Sequence, residues 1–279
     1  MNEESVEHHF FNHNNGKISY YVSQHSSQPL FNFIFLAGFG GEEAYFDFKS
    51  LAHGLSPSGN LFFIDPLGRG ESDETSHSRD IQTILAELHA LITNLSLTNI
   101  IFVAHSVGGI YAKEYSNTYQ NVIGLILFEP ITIESDNLFE NDQNYINATK
   151  HLDTLSPVEC EALLMDSQWT VADKKKIRSI KEQLIKRYHK GNSTFYHEGQ
   201  KLTTNLNFVS QTKLNKKTNS LIICQPFRKD EYQRSIYFNT QSMIETLGNT
   251  HYLHRTSTED SLQSILSFLN TISSNSFVS

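Results

Sequence analysis

Four short apolar runs, FNFIFLAG, NLFFIDP, NIIFVAH and VIGLILFEP, constrain the fold of this chain more than any other feature. Each is continuous rather than alternating, and each is followed by enough chain to hold a helix. A strand that is apolar on both faces needs cover on both, so the spacing predicts a mostly parallel central β-sheet with helices on both faces. The connecting segments agree. RDIQTILAELHALITNL carries Ile81, Ile84, Leu85, Leu88, Leu91 and Ile92 at helical spacing, with Asp80 or Ser78 as the N-cap. Ahead of the first run, VEHHFFNHNNGKISYYVSQ reads as an N-terminal β-hairpin around Asn14, Asn15 and Gly16, because Asn-Gly readily takes the positive φ angles of a tight turn. NSLIIC and MIETLG resume the strands near the end, and EDSLQSILSFLNTI supplies a last amphipathic helix.

After Pro130 the rhythm fails. The chain becomes rich in Asn, Lys and Gln, with helical signals at PVECEALLMDSQW and VADKKKIRSIKEQLIKRYHKG. The expectation is a core domain formed by residues 1–131 and 218–279 and interrupted by an inserted helical cap over 132–217. Acidic residues accompany the lysines of the cap, so its charge run reads as a solvated helix face. A net charge of −8 argues against a nucleic-acid partner, and no apolar run is long enough to span a bilayer. MNEESVEHH lacks the basic start and apolar stretch of a secretory signal, which points to the cytoplasm. Cys160 and Cys224 alone offer neither a disulfide framework nor a paired-cysteine zinc site.

Chemistry enters at Ser106, in IIFVAHSVGGIYAKEY. A strand ends there, small residues turn the chain, and a helical pattern begins at once. A serine hydroxyl becomes a useful nucleophile when its backbone lifts it clear of the surface and an imidazole takes its proton. So tight a strand-to-helix elbow needs small residues two positions before and after the serine, and Ala104 and Gly108 fill them.

Four motifs, LAGFGG, FFIDPLGRGESD, AHSVGG and THYLH, occur in an order that resembles the α/β-hydrolase superfamily from the hairpin to the last helix. That resemblance implies the α/β-hydrolase fold, with nucleophile, acid and histidine in that order along the chain. It assigns the nucleophile to Ser106. His251, the first histidine of HYLH, is the general base, with His254 as a packing or capping histidine. The acid has two candidate positions. One is the loop after NSLIIC, where QPFRKDEY offers Asp230 and Glu231; the other is the end of VIGLILFEP, where Glu129 stands. Glu129 is preferred because it closes a wholly apolar strand at the edge where open α/β sheets place their ligands. Asp230 and Glu231 follow Arg228 and Lys229, which reads as a charged surface loop. The resemblance further implies that the backbone N–H groups of Phe39 and Val107 form the oxyanion hole, although Ala37 stands where family members often have histidine.

Gly38, Gly40 and Gly41 lack the Lys and Ser/Thr spacing of a phosphate cradle, and DPLGRGESD lacks a dinucleotide-binding arrangement; Arg69 reads as support beneath the site. His105 is assigned a structural role, and His8, His9 and His13 are read as solvated or core residues rather than ligands. Tyr145, Trp169 and Phe195 are candidates for lining the pocket or for packing the cap. The expected activity is a serine hydrolase cleaving a carboxylic ester of a small molecule through an acyl-enzyme on Ser106, without metal or cofactor. Amide-directed hydrolysis and acyl transfer use the same triad. A non-catalytic small-molecule receptor on the same fold is the reading of another class, and the presence of both Ser106 and His251 argues against it. Dehalogenation in this superfamily uses aspartate at the elbow, where this chain has serine.

Overall fold

The β-rich runs of the sequence become strands in the computed structural model, which describes residues 6–24, 26–39, 43–135, 171, 173–179, 183, 191 and 193–276. β1 (Glu7–His13) and β2 (Gly16–Ser23) form the hairpin, with His13 opposite Gly16. Asn14 and Asn15 make the loop without positive φ; Gly16 alone carries one, at 144°. The turn therefore differs from the Asn-Gly geometry expected from the sequence. A Cβ at Gly16 would sit 3.1 Å from Leu67 Cδ2, so close packing also favours glycine there.

The remaining strands are β3 (Phe31–Leu36), β4 (Gly59–Asp65), β5 (Ile100–His105), β6 (Val122–Phe128), β7 (Asn219–Cys224) and β8 (Ser242–Thr246). Together the eight form one sheet in the order β1-β2-β4-β3-β5-β6-β7-β8. β2 pairs antiparallel with β1 and β4, and every pairing from β4 to β8 is parallel. Parallel strands put all their carboxyl ends on one edge. The loops after β3, β4, β5, β6, β7 and β8 consequently converge there.

Period-two alternation divides the buried residues between two faces. Ile34, Leu36, Phe102, Leu125 and Leu127 join the core with α2 (Ile81–Asn94) and α3 (Gly108–Thr118). Phe33, Phe35, Ile101, Val103 and Ile126 pack instead with α1 (Ala44–Leu55) and the last helix. Asp80 caps α2 by accepting the Thr83 N–H at 2.9 Å. α4 (Thr194–Val209) adds Leu206 and Val209 to the α2–α3 side, and Ser193 caps it. The sequence shows no clear stripe for α1 or α4. α1 buries residues around much of its circumference, and α4 has few apolar positions, so neither displays a single face.

α5 (Lys229–Arg234), α6 (Leu253–Thr256) and α7 (Thr258–Ser276) complete the described helices that have named bounds. Residues 173–179 of the second cap signal are helical, whereas PVECEALLMDSQW, Tyr145, Trp169, Cys160, Gly40 and Gly41 lie outside the described residues. No helix among the described residues is long and apolar enough to cross a membrane.

Candidate active site

Ser106 joins β5 to α3 with φ at +51°, a left-handed conformation that non-glycine residues rarely take. Its N–H donates to Phe128 O at 3.0 Å, and its carbonyl accepts from Gly109 at 3.0 Å, so both neighbours of the turn fix it. A Cβ at Gly108 would fall 2.5 Å from Leu36 O, and one at Gly109 would fall 2.7 Å from Pro130 Cβ. These near contacts explain why glycine follows the serine. The N-terminus of α3, beginning at Gly108, also places its positive dipole end beside Ser106.

The loop after β3 approaches the elbow equally closely. A Cβ at Gly38 would lie 2.8 Å from His105 Nδ1 and 3.1 Å from Ser106 Cβ. Among the described residues, the backbone N–H groups of Phe39 and Val107 have no hydrogen-bond partner. Val107 directly follows Ser106, and Phe39 follows the glycine that packs against it. Phe195, from α4, stacks on Phe39 with ring centroids 4.1 Å apart and is itself buried. It thus packs over the loop that carries Phe39.

His251 follows β8, and its ring centroid stands 4.6 Å from that of His105, the residue before Ser106. Its Nδ1 lies 3.7 Å from Glu129 Oε2. Ser106 Oγ makes no hydrogen bond among the described residues, so the serine and the imidazole are gathered at one edge without being bonded. Glu129 directly follows β6 with φ at +46° and is fully buried. One oxygen accepts the Gln225 N–H at 2.5 Å, and the other accepts from Arg228 Nη1 at 2.5 Å. Burial alone would raise its pKa. The neighbouring His251 imidazole, the Arg228 charge and the Gln225 N–H outweigh that and hold the carboxyl below its ordinary range.

Asp230 occupies a different environment. It is exposed on α5, and the structure does not bring it to His251. The other acid of that loop, Glu231, is buried in a two-bond pair with Arg228, at 2.8 and 2.5 Å, and accepts the Thr132 hydroxyl at 2.5 Å. Arg228 therefore ties Glu129 to Glu231. In the sequence this arginine reads as loop charge, and its place next to acids gives no sign of which partner it takes.

Behind the elbow lies a cluster that the sequence scatters. His105 Nε2 donates to His251 O at 3.0 Å, fixing the backbone of the proposed base. Burial, with His254 and His251 beside it, pushes the His105 imidazole well below its ordinary range, so the ring is neutral. His254 Nε2 meets Asp47 Oδ1 at 2.9 Å, and the Arg255 guanidinium bonds the same oxygen. His254 is fully buried against Phe48 and Phe128. Asp47, His105 and His254 place one donor atom each within 4.8 Å of one another, a spacing that would suit a metal ion. Arg255 already supplies Asp47 with a cation, which disfavours a second one. Elsewhere, His8 bonds Ser19 and stacks on Tyr21, His9 bonds Glu7, and His13 accepts the Asn15 N–H. Burial pushes the Cys224 thiol up to about 12, leaving it an unreactive core residue.

The family model described as "Alpha/beta hydrolase family" matches residues 33–211. The uncharacterized protein YbdG of Bacillus subtilis (strain 168) is 28% identical over 96 residues, which is 34% of this chain and 30% of that protein. This match thus spans less than a third of the relative's length. Among solved structures, Smu.1393c from Streptococcus mutans superposes with a TM-score of 0.75 at 18% identity, covering 95% of this chain and 98% of that one. The haloalkane dehalogenase DbeA-M1 loop variant from Bradyrhizobium elkanii gives 0.68 at 17% identity, covering 97% and 99%. At such identities the structural likeness concerns the fold.

Proposed function

The chain belongs to the alpha/beta hydrolase family, and on that premise we propose that it is a serine hydrolase acting on a carboxylic ester of a small molecule. The observation that carries this reading is the His251 Nδ1 to Glu129 Oε2 approach at 3.7 Å, beside a serine held at positive φ on a strand-to-helix elbow. With Nδ1 facing the carboxylate, Nε2 is the ring nitrogen assigned to Ser106 in this reading.

In the proposed cycle Ser106 Oγ attacks the acyl carbon while His251 Nε2 takes its proton. The Phe39 and Val107 N–H groups receive the oxyanion. The tetrahedral intermediate collapses to an acyl-serine, and the departing alkoxide takes the proton from His251. Water, deprotonated by the same imidazole, then releases the carboxylic acid and restores the hydroxyl. Glu129 stays ionised throughout and stabilises the imidazolium. Serine at the elbow separates the chain from dehalogenation.

Fluorophosphonate labelling tests the proposal. Labelling of folded protein at Ser106, lost in Ser106→Ala, is the expected outcome, together with hydrolysis of p-nitrophenyl acetate. Folded protein that is neither labelled nor active would instead favour a receptor on this fold.

A further inference from the structure

We propose that Arg69 is a positioning residue for the oxyanion hole, aiming the Phe39 N–H through the Gly38 carbonyl. This inference rests on the serine-hydrolase reading for its role in catalysis, and on the geometry of the loop for its structural content. Arg69 is 1% exposed, in the turn after β4. Its Nη1 donates to Gly38 O at 2.6 Å and to Ala37 O at 3.2 Å. The rest of the guanidinium is held by Glu198 of α4, with Nη2 to Oε1 at 2.5 Å and Nε to Oε2 at 3.4 Å. Tyr111 of α3 donates its hydroxyl to the same Oε1. Burial, with the Glu198 charge beside it, pushes the phenol well above its ordinary range and keeps it a donor.

A trans peptide is planar, with its C=O and N–H pointing in opposite directions. Anchoring the Gly38 carbonyl on Arg69 therefore turns the Phe39 N–H away from the guanidinium, where it has no partner among the described residues. That anchor matters because the residue is glycine. Gly38 must lack a side chain to pass within contact of His105 and Ser106, and a glycine leaves the adjoining peptide free to rotate. A buried arginine–glutamate pair is weak as a stabilising device, since desolvation offsets most of its attraction. Two of its bonds, however, fall on the loop that carries the proposed donor. Holding that peptide is what the pair accomplishes.

The test uses the full chain with Arg69→Met, the double variant Arg69→Met/Glu198→Gln, which avoids stranding a buried carboxylate, and Arg69→Lys. For p-nitrophenyl acetate, kcat falls about 100-fold or more in the first two, as for loss of one oxyanion donor, while KM changes by less than about three-fold. Arg69→Lys recovers part of that loss. A crystal structure of the double variant shows the Gly38–Phe39 peptide rotated. Unchanged kcat in the folded double variant overturns the proposal. So does an unrotated peptide, whether or not the chain hydrolyses esters. If wild-type protein shows no turnover that Ser106→Ala abolishes, the serine-hydrolase reading fails, and the peptide's orientation alone decides the positioning of the loop.

Discussion

Asp65 and Glu129 stand at matching places with opposite surroundings. Each follows or closes an apolar parallel strand at the carboxyl edge, each precedes a proline, and each is at most 1% exposed. Glu129 is met by Arg228, His251 and the Gln225 N–H, which hold its carboxyl below the ordinary value of 4.5 despite burial. Asp65 accepts the Ala44 N–H at 2.8 Å through Oδ1, but its Oδ2 is buried without a partner. Burial and the neighbouring Glu43 raise Asp65 well above its ordinary 3.8. Glu43, with its own Oε1 unpartnered, is raised as well, chiefly by burial. The difference teaches that partners, not depth, decide whether a carboxyl at this edge is an anion. Glu129 is equipped to stay charged beside an imidazole. Burial and Glu43 push Asp65 toward its neutral form.

The largest way to break this contrast is kinetic. Glu129→Gln is expected to lower kcat for p-nitrophenyl acetate by about 1,000- to 10,000-fold, the scale found when a triad acid becomes an amide. Asp65→Asn, which keeps a neutral group in place, leaves kcat within about three-fold. Equal losses would erase the distinction. A substantial loss in Asp230→Asn would move the acid to α5.

Next comes stability. Arg228→Met strands Glu129 and Glu231 together, and urea unfolding should show a loss of about 3–5 kcal/mol, as for a broken buried ion pair. A loss below about 1 kcal/mol would mean that the guanidinium contributes little to ionising Glu129.

The two carboxyls also impose opposite pH slopes. Glu129 is depressed, so its contribution is present above the ordinary value of 4.5 and is lost as pH falls through the lower folded value. Asp65 is raised, so its contribution is present below 3.8 and is lost as pH climbs through the higher folded value. Unfolding midpoints across pH should therefore show wild type losing its advantage over Glu129→Gln in acid. Against Asp65→Asn, wild type loses ground as pH rises above 3.8. A shared slope would contradict the comparison. The smallest effect belongs to Tyr21, whose hydroxyl donates to Glu43 Oε2 at 3.0 Å. Tyr21→Phe should cost about 1 kcal/mol in the same unfolding experiment, and a gain would show that the Glu43 site prefers to be dry.

Much of the fold is legible in the sequence. Strand-length apolar runs predict the parallel sheet, because only strands covered on both faces can be so uniformly apolar. The elbow at Ser106 is legible because steric demand restricts its neighbours to small residues, as the contacts of Gly108 and Gly109 show. The acid was harder to read. Position at the sheet edge favours Glu129 as the proposed acid, yet Asp65 satisfies the same criterion, and the two differ in their partners. Likewise, nothing local marks Asp47 as the partner of His254, 207 residues away, or Glu198 as the partner of Arg69, 129 residues away.

The sequence by itself determined the strand rhythm, the elbow and the order of the motifs, because these depend on side-chain size, polarity and spacing within a few residues. Tertiary structure decided which carboxyl meets charged partners, which histidine is packed away, and how the Gly38 peptide is anchored. Those outcomes depend on desolvation and on hydrogen bonds between segments far apart in the chain. Their energies exist only once the parallel sheet has brought the strand ends to one edge.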